Sequence, residues 1–157
     1  EVEDEVTAYL EYASGATGVF ITSTGESPGT NRLEVTGDRG RIVAEAGAPL
    51  RFTRNEIPTA QFCRETKSRF GVPPVWNVEI PVEGSGGQHM EILQNFAEAI
   101  LDGAPLLAPA AEGIRSVELG NAMLLSSMEG KTVDLPMDSA RFERLMKKLI
   151  RESRFRK

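Results

Sequence analysis

The fold of this chain is decided by residues 88–136, which read QHMEILQNFAEAILDGAPLLAPAAEGIRSVELGNAMLLSSMEGKTVDLP. Apolar residues recur at three- and four-residue steps from Met90 to Leu101, which predicts an amphipathic helix that begins at Gln88. Gly103 ends it, because glycine adopts the left-handed turn of a helix end. A second helix is predicted from about residue 111 to 127, followed by a short strand over 132–136. One side of the second helix carries Ile114, Val117, Asn121, Leu124 and Met128, and this apolar stripe is broadened by Ala122, Met123 and Leu125.

A set of residues in this stretch carries a family resemblance. The set is His89, Phe96, Ala99-Ile100, Asp102-Gly103, Glu112-Gly113, Ser116, Glu118-Leu119, Ala122, Ser126-Ser127, Glu129-Gly130 and Val133-Leu135-Pro136. In this order it resembles the C-terminal half of the glucose–fructose oxidoreductase/inositol dehydrogenase/MocA family. The resemblance implies a single C-terminal domain over residues 1–157. A whole member also has an N-terminal dinucleotide-binding domain, and we expect this chain not to include it.

Composition narrows the class of protein. The chain has 157 residues, a net charge of −5 and a pI near 5.0, which argues against a nucleic-acid partner. Its one cysteine excludes an internal disulfide and favours a reducing compartment, so we expect a cytoplasmic protein. No apolar run approaches the length of a membrane span, and no signal peptide is recognised. The acidic start without Met is typical of a fragment or a trimmed chain.

The remaining segments predict strands with two further helices. Residues 4–54 alternate apolar and polar side chains between short turns, and 75–82 return to this pattern, which predicts an antiparallel sheet. Thr59 is predicted to cap a short helix that ends by Pro73-Pro74, and Asp138-Ser139 to cap a helix with a clean apolar stripe. The fold class is therefore α+β: an open, mainly antiparallel sheet with helices packed on one face.

Two strand segments place apolar residues on both faces of the sheet: Phe20 stands beside Val19 and Ile21, and Ile42 stands beside Val43. Helices from so short a chain can cover only one face, and an apolar second face needs a partner. We therefore expect self-association through the sheet as a homodimer or larger. The resemblance implies the same, since that family assembles through its C-terminal sheet.

The glycine-rich run Gly84-Ser85-Gly86-Gly87 lies where a phosphate-binding loop would lie, between a strand and a helix. The dinucleotide fingerprint requires glycine at its sixth position, where this chain has His89. A flexible approach to the helix is the favoured interpretation. The sequence does not support a metal site, because one histidine and one cysteine cannot supply a zinc ligand set. It does not support a serine hydrolase either, because it contains no Gly-x-Ser-x-Gly nucleophile elbow.

The candidate substrate-binding residues are His89, Gln88, Trp76, Arg32 and Asn31. His89 and Gln88 begin a helix, where the imidazole can hydrogen-bond a sugar hydroxyl, although a plain helix-cap role is the commoner alternative. Trp76 offers a stacking face for a pyranose, and a core role is its alternative. Arg32 and Asn31 follow a long loop and can reach a polyol.

We expect no catalytic, cofactor-binding or metal-binding residue in this chain. The resemblance implies that proton transfer uses a Lys after a Glu in the N-terminal domain and an Asp/His pair before the first sheet strands. None of these maps onto this sequence. The chain is expected to be inactive alone, with NAD or NADP bound by the intact protein. The basic residues after Lys147 are interpreted as complementing a helix dipole, with anion or membrane binding as the alternative.

Three hypotheses follow for the function. The first is the substrate-binding and oligomerisation domain of an NAD(P)-dependent oxidoreductase that acts on a sugar, cyclitol or related polyol. The second is a binding or assembly module of the same fold without chemistry. The third is a free-standing small-molecule binder that uses the Gly84–His89 region.

Overall fold

The computed structural model describes residues 3–81 and 87–154. The chain divides into two compact units, Glu1–Ser85 and Gly86–Lys157. Among these described residues, the first unit contains six strands and one short helix, and the second contains three α-helices.

The first unit forms two antiparallel sheets rather than the one sheet that the sequence predicts. A hairpin of β1 (Glu5–Glu11) and β2 (Thr17–Ser23) stands apart from a four-stranded meander of β3 (Arg32–Gly37), β4 (Gly40–Glu45), β5 (Leu50–Asn55) and β6 (Val75–Ile80), in that order. The hairpin turns at Gly15, whose φ of 84° favours glycine. Consecutive strands joined by short turns pair with each other, which explains the meander. The antiparallel prediction is confirmed, and with it the α+β class.

The two faces of the four-stranded sheet differ sharply, because paired residues share a face. One face, here called the apolar sheet face, carries Leu33, Val35, Ile42, Ala44, Leu50, Phe52, Trp76, Val78 and Ile80, with Arg54 at one end. The opposite face carries the ion pairs Arg41–Glu34 (3.5 Å) and Arg51–Glu45 (3.1 Å). Ile42 and Val43 therefore do not make this sheet apolar on both sides. Val43 is buried between its cross-strand neighbours Glu34 and Arg51 on the charged face.

The β1–β2 hairpin does carry apolar residues on both faces, as its sequence predicts. Ala8 and Phe20 pair on one face, and Tyr9 and Val19 pair on the other. Tyr9, Val19 and Ile21 are each about two-thirds exposed within the chain.

Helix α1 (Thr59–Glu65) is short and is anchored to the β3–β4 turn. Asp38 accepts a hydrogen bond from the backbone N–H of Ala60 (2.7 Å), and the Asp38 carbonyl accepts one from the N–H of Thr59 (2.8 Å). The predicted Thr59 cap is wrong: Thr59 is the first helical residue, and its hydroxyl instead donates to the Asp38 carbonyl (3.2 Å).

The second unit contains α2 (Gln88–Leu101), α3 (Gly113–Glu129) and α4 (Ser139–Glu152), with one 3-10 turn at Ala110–Glu112. Gly130 ends α3 with a left-handed φ of 61°, and Asp138 caps α4 by accepting from the N–H of Ala140 (3.0 Å). Helix α2 has the bounds that the sequence predicts, and the Asp138 cap is also confirmed.

The buried side of α3 differs from the prediction. Ala122 and Leu125 are buried, and Leu125 is fully so. Ile114 of the predicted stripe is 70% exposed. Helix α4 contacts α3, and the half-buried side chains of α4 are Arg141, Phe142, Leu145, Met146 and Leu149. The sequence correctly includes Ala122 and Leu125 in the apolar stripe but places them at its margin, because α3 is apolar on two sides and its neighbours select the side that is buried.

The predicted strand at 132–136 is wrong. The segment has no ladder partner among the described residues, and Pro136 lacks the N–H that a central strand needs. Side chains of α3 flank it instead. The Ser126 hydroxyl donates to the Lys131 carbonyl (2.8 Å), and the Glu118 carboxylate accepts from the N–H of Met137 (2.7 Å).

Candidate functional site

The N-terminus of α2 is built around a close backbone approach. Gly87 caps the helix, and its N–H donates to the carboxylate of Glu91 (2.8 Å), so one turn of helix closes on itself. A Cβ at position 87 would collide with the Cβ of Glu91, which explains why glycine stands there. Gln88 follows with a φ of 49°, a left-handed conformation that is uncommon for a residue with a side chain. Such conformations cluster at functional sites, which keeps this helix end a candidate.

An open groove of about 540 Å³ runs along one side of α2. Its lining residues are Gly87, Met90, Glu91, Gln94, Asn95, Glu98, Ala104, Pro105 and Leu107. Asn95 builds its wall: the amide donates to the Pro105 carbonyl (2.9 Å) and accepts from the N–H of Leu107 (2.8 Å). Gln94 donates to Glu98 (2.9 Å) across the floor. The groove therefore presents fixed carboxylate and amide groups, which suit the hydroxyls of a polyol.

His89 lies on the other side of α2 from this groove. It shares the helix face of Leu93, Phe96 and Ile100, because these positions fall within a narrow arc at 100° per residue. Its imidazole is exposed, as is the side chain of Gln88, and neither residue lines the groove. The structure thus places neither candidate in the groove, and His89 lies on a different face of the helix.

Trp76 lies on an edge strand at the end of the apolar sheet face. Its indole N–H donates to the Glu56 carboxylate (2.6 Å), and its side chain is 60% exposed within the chain. The hydrogen bond fixes the orientation of the ring, so a flat face is held ready for stacking. A core role for Trp76 is therefore wrong for the described chain.

Arg32 is already engaged by its neighbours on the charged face. It pairs with Glu34 through a hydrogen bond that raises the pKa of the guanidinium and holds the pKa of the Glu34 carboxyl below its ordinary value. Asn31 precedes the strand, and its carbonyl accepts from the N–H of Ala46 (3.2 Å). Both residues lie at the opposite edge of the sheet from Trp76, and Arg32 lies on the opposite face. The structure does not bring the three into one site.

The glycine-rich run and the direction of the strands bear on whether this chain can bind a dinucleotide cofactor. Gly84, Ser85 and Gly86 lie outside the described residues, so the interpretation of this run as a flexible approach stays a prediction. A Rossmann-type site needs neighbouring parallel strands, whereas every strand pair in 3–81 and 87–154 is antiparallel. The described residues therefore do not fit a nucleotide cofactor held in that way.

The described part of the chain contains no cluster of three or more His, Cys, Asp or Glu side chains that could hold a metal ion. None of its helices is long and apolar enough to cross a bilayer.

These features define an α+β domain with antiparallel sheets and a polar groove beside a helix N-terminus, without a parallel nucleotide-binding sheet in the part described. The family model for the oxidoreductase family, C-terminal alpha/beta domain, matches residues 1–135. The chain belongs to this family, the glucose–fructose oxidoreductase/inositol dehydrogenase/MocA oxidoreductases, and the resemblance drawn from residues 89–136 is confirmed. No curated protein matches the chain.

Sequence reasoning missed the groove and the cap from Asp38. Asn95 and Glu98 are polar residues on the side of α2 away from its apolar stripe, where solvent-facing residues are ordinary. Only the distant loop at 104–107 turns them into a wall. The sequence feature that could have indicated the groove is the proline-bounded link after Gly103, which forces the chain back along the helix.

Proposed function

We propose that this chain is the substrate-binding and oligomerisation domain of an NAD(P)-dependent oxidoreductase that acts on a sugar, cyclitol or related polyol. The observation that carries the proposal is the family match over residues 1–135. The family description makes the chain the C-terminal domain of an oxidoreductase. In the intact enzyme a hydride would pass between the nicotinamide and a carbinol carbon of the substrate.

The division of labour rests on what the described residues offer. The antiparallel sheets do not fit a dinucleotide, so NAD or NADP is assigned to a separate dinucleotide-binding domain of the intact protein. The groove along α2 and the exposed imidazole of His89 offer hydrogen-bonding groups at the α2 end of the domain. Trp76 offers a stacking face for a sugar ring only where the sheet is uncovered, because it lies on the apolar sheet face that self-association would cover. The domain would then supply part of the substrate wall. A nicotinamide-dependent sugar enzyme of this kind fits the cytoplasm.

Self-association is supported by the apolar sheet face. Leu33 is 65% exposed and Val35 58% exposed on a face that carries nine apolar side chains. A contiguous apolar patch of this size marks an interaction surface. A second copy of the chain is the proposed occupant, which makes the interface two-fold.

The second candidate is a binding or assembly module without chemistry. It is favoured by one observation: the polar groups of the groove are already hydrogen-bonded to each other, as in a structural network. The coding sequence upstream of Glu1 discriminates between the two. A strand followed by Gly-x-Gly-x-x-Gly and later Glu-Lys-Pro supports the oxidoreductase, and an initiator Met at the domain edge supports the module.

A binding measurement on the chain tests the division of labour directly. NADH is titrated into the 157-residue chain and followed by nicotinamide fluorescence. We expect no saturable signal, because the nucleotide site is assigned elsewhere. Tight, saturable binding would overturn the assignment.

In a second experiment, a cyclitol and a hexose are titrated into the wild-type chain and the His89→Ala variant, with Arg69→Ala as a surface control. Weakened polyol binding in His89→Ala alone supports the α2 end as the substrate wall.

A further inference from the structure

Helix α4 separates its side chains into two opposite arcs. At 100° per residue its apolar residues fall in one arc, in which Phe142, Leu145, Met146 and Leu149 are half-buried and Ile150 is exposed. The opposite arc carries Arg144, Lys147, Lys148, Arg151 and, just past the helix end, Arg154. The side chains of Arg144, Lys147 and Arg151 are each 69–76% exposed, and they pair at the surface with Asp138, Glu143 and Glu152, respectively. This arc is here called the basic face of α4.

The charge of the chain is divided in the same way. Residues 139–157 contain eight Lys or Arg against two Glu, whereas residues 1–138 contain ten Lys or Arg against 21 Asp or Glu. The family match ends at residue 135, before α4 begins. The basic face therefore lies outside the matched residues, and nothing in the proposed function uses it.

A complementary surface exists on the β1–β2 hairpin. Residues 1–31 carry six carboxylates and no Lys or Arg. Glu5 and Glu11 lie on the hairpin face that also presents Tyr9, Val19 and Ile21 to solvent within the chain. The seven residues of β1 span about 24 Å, and the 14 residues of α4 span about 21 Å, so the two elements match in length.

Other partners are less well matched. Deep insertion into a lipid surface uses the apolar face of a basic amphipathic helix, and in α4 that face is already occupied by α3. Nucleic acid would be repelled by a chain with a net charge of −5. A second copy of this chain, by contrast, carries a surface of the required sign, length and apolar content.

We infer that the basic face of α4 docks on the acidic β1–β2 hairpin of a second copy of the chain. Exposed Ile150, at the edge of the basic face, adds an apolar contact toward Val19 and Ile21 of that copy. This contact does not involve the apolar sheet face. It differs from an association through that face by its dependence on salt, because exposed charge pairs are screened while apolar contacts are not.

Sedimentation velocity of the full 157-residue chain at about 50 mM and about 500 mM NaCl tests the inference. The basic face is reversed in Arg144→Glu/Lys148→Glu/Arg151→Glu. A matched control with the same change of charge is Arg64→Glu/Lys67→Glu/Arg69→Glu. We expect the low-salt association to weaken about tenfold or more in the first variant and in high salt, and to persist in the control. Far-UV circular dichroism checks that the helices of each variant are retained.

The hairpin is reversed separately in Glu3→Lys/Glu5→Lys/Glu11→Lys. Each reversed variant alone should lose the salt-sensitive association, and a mixture of the two should recover it. The inference is overturned if salt and charge reversal leave association unchanged, if the chain is monomeric at low salt, or if the mixture recovers nothing. It is also overturned if the basic face binds vesicles of anionic lipid and not a second copy. Loss of the salt-resistant association alone would count against the sheet interface and not against this contact.

Discussion

Asp38, in the two-residue turn between β3 and β4, caps the helix that begins at Thr59 through its hydrogen bond to the N–H of Ala60 (2.7 Å). The same residue accepts a bond from the Asn55 amide at its carbonyl (3.1 Å). One turn residue therefore fixes both the end of β5 and the start of α1. The start of α1 depends on a residue 22 positions earlier in the chain.

We expect Asp38→Ala to destabilise the first unit by about 1 kcal/mol, as the loss of a helix N-cap does. Asp38→Asn keeps a side-chain oxygen and should cost much less. Hydrogen exchange at the Ala60 amide, with urea unfolding of both variants, measures the effect. An unchanged exchange rate in Asp38→Ala would show that the cap is not formed in solution.

Leu125 is the one fully buried large side chain among the described residues. Leu125→Ala leaves a cavity where this side chain is buried, so we expect a loss of about 2–5 kcal/mol in the free energy of unfolding. Ile114→Ala, on the exposed side of the same helix, is the matched control and should lie within about 0.5 kcal/mol of wild type. Equal losses in the two variants would contradict the buried side of α3 described above.

The gap between the predicted and observed helices has a physical reason. Helix α2 could be predicted at both ends because its signals are local: the glycines before it, the apolar period, and Gly103 after it. The buried side of α3 could not be predicted, because a helix with apolar residues on two sides buries the side that its neighbouring elements contact. Residues 132–136 have the composition of a strand, but a strand requires a partner, which composition does not supply.

The same distinction applies to the candidate site. The family and the candidate residue His89 follow from a local pattern, whereas the groove wall made by Asn95 depends on a loop ten residues away. The separation of Trp76 from Arg32 follows from strand order and from the face each residue takes, neither of which a single strand segment specifies.

The contact between α3 and α4 should be sensitive to acid. The Arg141 guanidinium donates two hydrogen bonds to the Glu129 carboxylate, and these bonds hold the pKa of Glu129 below its ordinary value of 4.5. Because the folded pKa is lower than the unfolded one, the pair stabilises the fold at pH values above 4.5. The contribution is lost as the pH falls from there through the folded pKa.

Urea unfolding between about pH 3 and pH 7 measures this effect. We expect Glu129→Gln to lower the urea midpoint of unfolding near neutral pH. As the pH is lowered, the midpoint of this variant should fall with a smaller slope than the midpoint of the wild type. Glu26→Gln, an exposed carboxylate of the β2–β3 loop, serves as the control and should keep the wild-type slope. A slope in Glu129→Gln that equals the wild-type slope would mean that the ion pair makes no contribution to folding.

Trp76 is the single tryptophan of the chain and lies on the apolar sheet face, so its fluorescence reports on that face. If two copies associate there, the indole moves from water into an apolar contact, and we expect the emission to shift to shorter wavelengths as the protein concentration rises. Val35→Arg places a charge on that face and should abolish the shift, because a buried unpaired charge is costly. In about 500 mM NaCl, where the contact of α4 with the hairpin is screened, it should also reduce the sedimentation coefficient to that of a monomer. Thr36→Arg, one residue along on the charged face, is the matched control and should behave as wild type. A concentration-independent emission in the wild-type chain, or a shift that survives in Val35→Arg, would show that the apolar sheet face is not the place where the copies meet.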